Sequence, residues 1–193
     1  MDQTTTALVD ELEANRSMFE ALVRACRPYA LEREAQASGW AVGEIVAHVA
    51  ASDLLTIRQL TTLLAVQSEP ARLQPHVEPG LNLDDWNLEQ VRARAGQTLE
   101  ALLAEMEAHR IEALYLLRLL PEGAGAHEVP YPADRSRAGG RVPLRLWLKA
   151  WSKHDMVHGR DIMRALPELG RSPDFQSWLA DEPLLEGTGG PGA

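Results

Sequence analysis

Along most of this chain apolar residues recur at intervals of three and four, the pattern of helices that each bury one stripe. Leu8, Leu12, Phe19, Leu22, Val23 and Cys26 predict a first helix over about Thr5 to Arg27, ending before Pro28. Val42, Ile45, Val49, Leu55, Leu60, Leu63 and Leu64 predict a second from Val42 to Gln67, closed by Pro70. Leu99, Leu102, Leu103, Met106, Leu114, Leu117 and Leu120 supply the apolar face of a third, from Asp84 to Leu120. Asn82 or Asp84 can cap its first turn, and Gly96 is placed to break it into two pieces. Pro143 suits the opening turn of a fourth helix, whose spacing runs to Leu166 before Pro167.

Between these segments lie two stretches too rich in breakers for a regular element. Glu69 to Leu83 holds Pro70, Pro75, Pro79 and Gly80, and reads as a loop. Pro121 to Arg141 holds three prolines and four glycines, and reads as a long loop or a short hairpin near one end of a bundle. Phe175, Trp178 and Leu179 predict one short C-terminal helix. The expectation is an all-α four-helix bundle with long loops, one domain over residues 1–185, and a glycine-rich flexible tail over 186–193.

Composition narrows the function classes. With 193 residues, 45% of them hydrophobic, the chain can bury one continuous core. A formal net charge of -9 argues against nucleic acid and anionic membranes as partners, since both are held by clustered Lys and Arg. Cys26 is the only cysteine, so an internal disulfide and a cysteine-rich zinc site are both impossible, which fits a reducing cytoplasm. The polar, acidic first ten residues do not resemble an export signal, and no run approaches the length of a membrane span. A cytoplasmic protein is expected.

Chemistry enters with the histidines. Trp147, Trp151, His154, His158, Ile162 and Ala165 follow at spacings of four, three, four, four and three, so the fourth helix carries two imidazoles on the stripe its tryptophans mark as buried. Side chains four apart project side by side and can chelate one ion. The alternative for such a pair is two core histidines satisfied by neighbouring hydrogen bonds. His48 lies in an otherwise aliphatic run of the second helix and can face the same interior, where the alternative is again a structural histidine. Facing helices of a bundle can pool ligands, and three protein ligands are the usual number in zinc sites that keep an exchangeable position. His48, His154 and His158 are therefore the candidate metal ligands. His76, His109 and His127 fall outside the pattern and read as solvated.

Three segments carry a family resemblance: Trp40-Ala41-Val42-Gly43-Glu44-Ile45-Val46-Ala47-His48-Val49-Ala50, Asp84-Asp85-Trp86-Asn87, and His154-Asp155-Met156-Val157-His158. Over most of its length the chain resembles the DinB-like superfamily of helical-bundle metalloproteins, which includes thiol-dependent S-transferases and mycothiol-dependent maleylpyruvate isomerases. The resemblance implies that His48 corresponds to the first metal ligand and the His-Asp-x2-His element to the second and third. It also implies a homodimer. It does not fix the substrate, because many members are known only as metal-binding, stress-associated proteins.

Other residues are candidates for supporting roles. Asp155, beside His154, could orient a ligand, and Glu44, one turn before His48, could act as a base or hold a ligand from behind; the alternative for both is a solvated helix carboxylate. Arg135, Arg137 and Arg141 precede the metal helix and could hold the carboxylates of a substrate or of a small thiol, or simply confer solubility. Trp40, Trp86, Trp147 and Trp151 read as core packing. The expected function is a metal-dependent transferase that adds a low-molecular-weight thiol to an electrophilic small molecule. A non-catalytic stress-response metal protein and a metal-dependent hydrolase are the alternatives. Three imidazoles suit several ions, of which zinc and nickel are expected.

Overall fold

In a computed structural model of the protein, residues 3–36, 38–68, 82–135 and 138–180 are described. Four helices make the bundle: α1 (Gln3–Arg24), α2 (Val42–Ser68), α4 (Leu99–Leu119) and α5 (Leu144–Ala165). α3 (Leu83–Ala93) packs on α2, and α6 (Pro173–Ala180) closes the described chain against α1 and α5. The all-α expectation holds, with two small antiparallel hairpins, the second of them in the stretch expected to be a long loop or a short hairpin. β1 (Glu34–Ala35) pairs with β2 (Trp40–Ala41), and β3 (Glu128–Tyr131) pairs with β4 (Gly140–Pro143). The loop from residue 69 and the glycine-rich tail lie outside the described residues.

The helix boundaries follow local chemistry. α1 stops at Arg24, one turn before the expected end, because Pro28 opens a 3-10 turn over Pro28–Glu32. Glu44 Oε2 accepts a hydrogen bond from the Ala41 amide at 2.9 Å, tying down the first turn of α2. The Asn82 side chain accepts from the amides of Asp84 and Asp85, and Thr98 does the same for Ala101. Gly96, at φ 81°, turns the chain between α3 and α4, so the expected third helix is two.

The core forms two apolar clusters. One gathers Phe19 and Leu22 of α1, Ile45 and Val49 of α2, Leu102 and Met106 of α4 and Ile162 of α5. The other gathers Val9 and Leu12, Leu60 and Leu63, Ala113 and Leu117, and Leu148 and Trp151. On every bundle helix one buried charged residue falls between the two sets: Arg16, Asp53, Arg110 and Asp155. Arg16 Nε donates to Asp155 Oδ2 at 2.8 Å, and Arg110 Nε donates to Asp53 Oδ2 at 2.9 Å. Cross-links at 3.3 and 3.4 Å join Arg110 to Asp155 and Arg16 to Asp53. Trp151 Nε1 donates to Asp53 Oδ1 at 2.7 Å, and the Arg110 guanidinium stacks on the Trp151 ring at 4.8 Å.

Two positive and two negative charges make this layer neutral, and remaining donors reach the Leu12 and Met106 carbonyls. Burial alone would raise the Asp155 carboxyl, but Arg16 first, then contact with His154, and Arg110 hold it well below the usual carboxylate range. Desolvation cancels much of the Coulombic gain in such a layer, so its chief effect is to fix which helices face one another and at what register.

Candidate metal centre

α2 and α5 bring the three predicted histidines together one layer from the ionic quartet. A ligating nitrogen from each of His48, His154 and His158 lies within 4.8 Å of the others. His48 Nε2 and His154 Nε2 are 3.1 Å apart. Two nitrogens held at about 2.0–2.1 Å by one tetrahedral ion stand about 3.3–3.4 Å apart, so this separation is close to what shared coordination requires. The rings meet edge-on or tilted, with centroids 4.6–5.0 Å apart, and Trp40 covers His48 at 4.9 Å.

Burial keeps two of the three ligands, His48 and His154, in the binding-competent state. Burial, then the neighbouring imidazoles, holds the His48 pKa well below its ordinary value. His154 is lowered by burial and by His158, against an opposing pull from Asp155. A neutral imidazole is what a metal ion binds. The Nδ1 atoms of all three are buried with no hydrogen-bond partner among the described residues. With the proton on Nδ1, the Nε2 lone pairs of His48 and His154 point at one another, an arrangement a cation satisfies. The donor set and its geometry therefore fit a divalent ion.

The histidines occupy a different row from the one expected. Leu144, Leu148, Trp151, Asp155, Gly159 and Ile162 form the deepest line of α5, and His154 and His158 run along its flank. The His154 side chain retains 26% exposure, so the cluster borders solvent on one side.

Among the supporting candidates, Asp155 is buried rather than solvated. Its Oδ1 stands 3.9 Å from His154 Nδ1, beyond hydrogen-bond reach, while both its oxygens are engaged by Arg16. Glu44 is exposed and caps its own helix. Arg135 lies against Asp84, with its amide donating to Asp84 Oδ2 at 2.8 Å, and Arg141 Nη2 donates to the Glu128 carbonyl. Both arginines are exposed at the β3–β4 hairpin; Arg137 lies outside the described residues.

His109 corrects the expectation that it is solvated. Its Nδ1 is 2.9 Å from the Ala50 carbonyl oxygen, joining α4 to α2. His127 is exposed as expected, and His76 lies outside the described residues. Asp161 was not among the sequence candidates; its Oδ2 stands 3.6 Å from His158 Nδ1. The signal was present, because a carboxylate three residues after a helical histidine shares its face. Asp53, Arg16 and Arg110 were also missed, although each interrupts an apolar stripe where a core residue belongs.

A helical bundle with three convergent histidines on facing helices defines a class of metalloprotein, and the sequence places the chain within it. The pattern of the DinB superfamily matches residues 11–162, and the chain belongs to that superfamily. Among solved structures it is similar to mycothiol-dependent maleylpyruvate isomerase, with TM-score 0.60 and 16% identity, covering 84% of this chain and 63% of that one. A histidine-to-alanine mutant of that isomerase matches equally well in extent, with TM-score 0.59. This chain thus spans less than two thirds of the isomerase's length. No curated protein matches the sequence. No helix among the described residues is long and apolar enough to cross a membrane.

Proposed function

We propose that the protein is a metal-dependent transferase that adds a low-molecular-weight thiol to an electrophilic small molecule. The observation that carries this reading is the three-histidine cluster, with a 3.1 Å approach of His48 Nε2 to His154 Nε2 and one side open toward solvent. When bound, a divalent ion, with zinc and nickel the expected ones, would lower the pKa of a coordinated thiol and keep it as thiolate near neutral pH. His48, His154 and His158 would hold the ion and leave a coordination position for the sulfur. Trp40 shields the cluster from one side and limits water there.

The protein's own thiol is unsuited to the nucleophilic role. Burial pushes Cys26 up to about 11, and its Sγ lies against the Leu22 carbonyl in α1's last turn. The sulfur must therefore come from a second substrate. The mycothiol dependence of the similar isomerase supports a thiol in that position. A cytoplasmic setting and a homodimer complete the reading.

The test is a cobalt-substituted sample titrated with mycothiol, bacillithiol and glutathione, followed by thiol consumption against one reactive electrophile. A spectral change at the metal, and a rate that vanishes on chelation and in His158→Ala, are the expected results. If no thiol perturbs the cobalt spectrum and none reacts faster than with metal-free protein, the ion serves only to tie α2 to α5 and the transferase reading fails.

A further inference from the structure

α6 lies in a groove between α1 and α5 and points along it. Its residues climb α5 toward that helix's N-terminus: Phe175 packs in the cluster that holds Ile162 and Leu166, Trp178 stands against Gly159, and the Leu179 carbonyl accepts from Arg160 Nη2 at 3.0 Å. On the other wall the Trp178 indole donates to Asn15 Oδ1 at 2.9 Å. α1 and α5 run in the same direction, since Asn15 bonds the Ser152 carbonyl while Leu22 lies beside Gly159. The rows that carry α6 therefore continue together at helical spacing, through Asn15, Glu11 and Leu8 on α1 and through Met156, Lys149 and Arg145 on α5.

Beyond the end of α6 these rows open into a cavity of about 670 Å3, closed at its far side by the end of α4 and the loop that follows. Leu8, Leu120, Leu144 and Leu148 give it an apolar lining. Arg145, Leu146 and Lys149 also line it and are exposed, and neither cation has an ion-pair partner among the described residues. Its acids are Glu11, which pairs with Lys153, and Glu122, in the loop after α4. The wall that α6 points along is thus apolar and basic.

We infer that residues 181–186 of this same chain dock in the cavity as an extended strap. Their sequence is Asp181, Glu182, Pro183, Leu184, Leu185 and Glu186, two adjacent leucines flanked by acids. Pro183 lacks an amide hydrogen and disfavours helix at Glu182, which suits a chain that leaves α6 extended. From Leu179 to Leu185 such a chain reaches about 20 Å, and the rise from Arg160 to Lys149 on α5 is about 17 Å. Leu184 and Leu185 then arrive at the apolar lining, with Glu182 level with Lys153 and Glu186 near Arg145. Burying two leucines only narrowly offsets the ordering of six residues, so the strap exchanges between docked and free. The cavity lies on the α1 side of α5 while His154 and His158 face α2, so the docking is independent of what the metal centre does.

Thiol labelling of the full chain tests this, in a Cys26→Ser background with folding of every variant verified by thermal melting. A bulky thiol reagent reads Leu185→Cys inside the strap and Thr188→Cys beyond it, each rate divided by its rate in denaturant. Leu185→Cys is expected to react at least about fivefold more slowly than Thr188→Cys. Adding Leu184→Asp, or Leu146→Asp on the cavity side, should erase most of that slowing. Arg145→Glu should weaken it by about two- to fivefold, the range of one exposed ion pair, and combining it with Glu186→Arg should recover part of the loss. Equal normalised rates at the two positions, slowing that survives both aspartate variants, or a charge swap that recovers nothing would each overturn the docking.

Discussion

His48 and His154 stand 106 residues apart in the chain and bring their Nε2 atoms to 3.1 Å inside the bundle. Their helices meet there because apolar stripes above and below close the same face. The first prediction follows from this approach. His48→Ala, His154→Ala and His158→Ala are each expected to abolish stoichiometric retention of metal, measured by elemental analysis of dialysed, untagged protein. His76→Ala and His127→Ala should retain it. His109→Ala should also retain it, while losing about 1 kcal/mol of stability with the bond to the Ala50 carbonyl. Equal metal in wild type and His154→Ala would refute the site.

The quartet of Arg16, Asp53, Arg110 and Asp155 gives a second expectation. Arg110→Met leaves two buried carboxylates facing one guanidinium, and should cost about 3–5 kcal/mol in denaturant unfolding. Replacing all four with apolar residues of similar volume should cost far less than the sum of the single changes. If Arg110→Met is neutral, the layer is more hydrated than its burial implies.

The stability of metal-free protein should fall in two steps as pH decreases. The folded His48 pKa lies below the ordinary imidazole value of about 6.5, so the unfolded chain takes up a proton first and stability drops from about pH 7 downward. The folded Asp155 pKa lies below its ordinary value of about 3.9, so its contribution is intact above about pH 5 and is lost on further acidification. Melting temperature against pH should show both, and His48→Gln should shrink only the upper step, to which His154 also contributes. A profile unchanged in that variant would remove His48 from the account.

Gly159, beside His158, is predicted to be intolerant of a side chain. A Cβ there would stand 2.6 and 2.7 Å from ring atoms of Trp178, whose Nε1 donates to Asn15 Oδ1 at 2.9 Å. Gly159→Ala must displace α6, and should cost about 1–3 kcal/mol and weaken metal retention at His158. Adding Trp178→Leu should recover part of the stability, because the rigid ring is then gone. Calorimetric melting of the single and double variants decides it: strictly additive losses would show that the clash is not the cause.

The sequence by itself determined the helices, the break at Gly96, a cap at Asn82 or Asp84 and the pairing of His154 with His158, because each depends on neighbours within a few turns. Spacings of three and four report which side chains share a face, and His154 and His158 are legible as a pair for that reason. Only the tertiary structure decided what meets that face from another helix. Asp155 looked like a solvated neighbour of a ligand, yet it is buried because Arg16 and Arg110 arrive from α1 and α4 to neutralise it. His109 sat among charges and turned out to reach α2. The flank position of the two α5 histidines, one row from the deepest line of the helix, was equally out of reach. A period fixes relative angles around one axis, while the side that becomes deepest depends on how four axes pack, and a buried charge is tolerable only when its counter-charge comes from a segment distant in the chain.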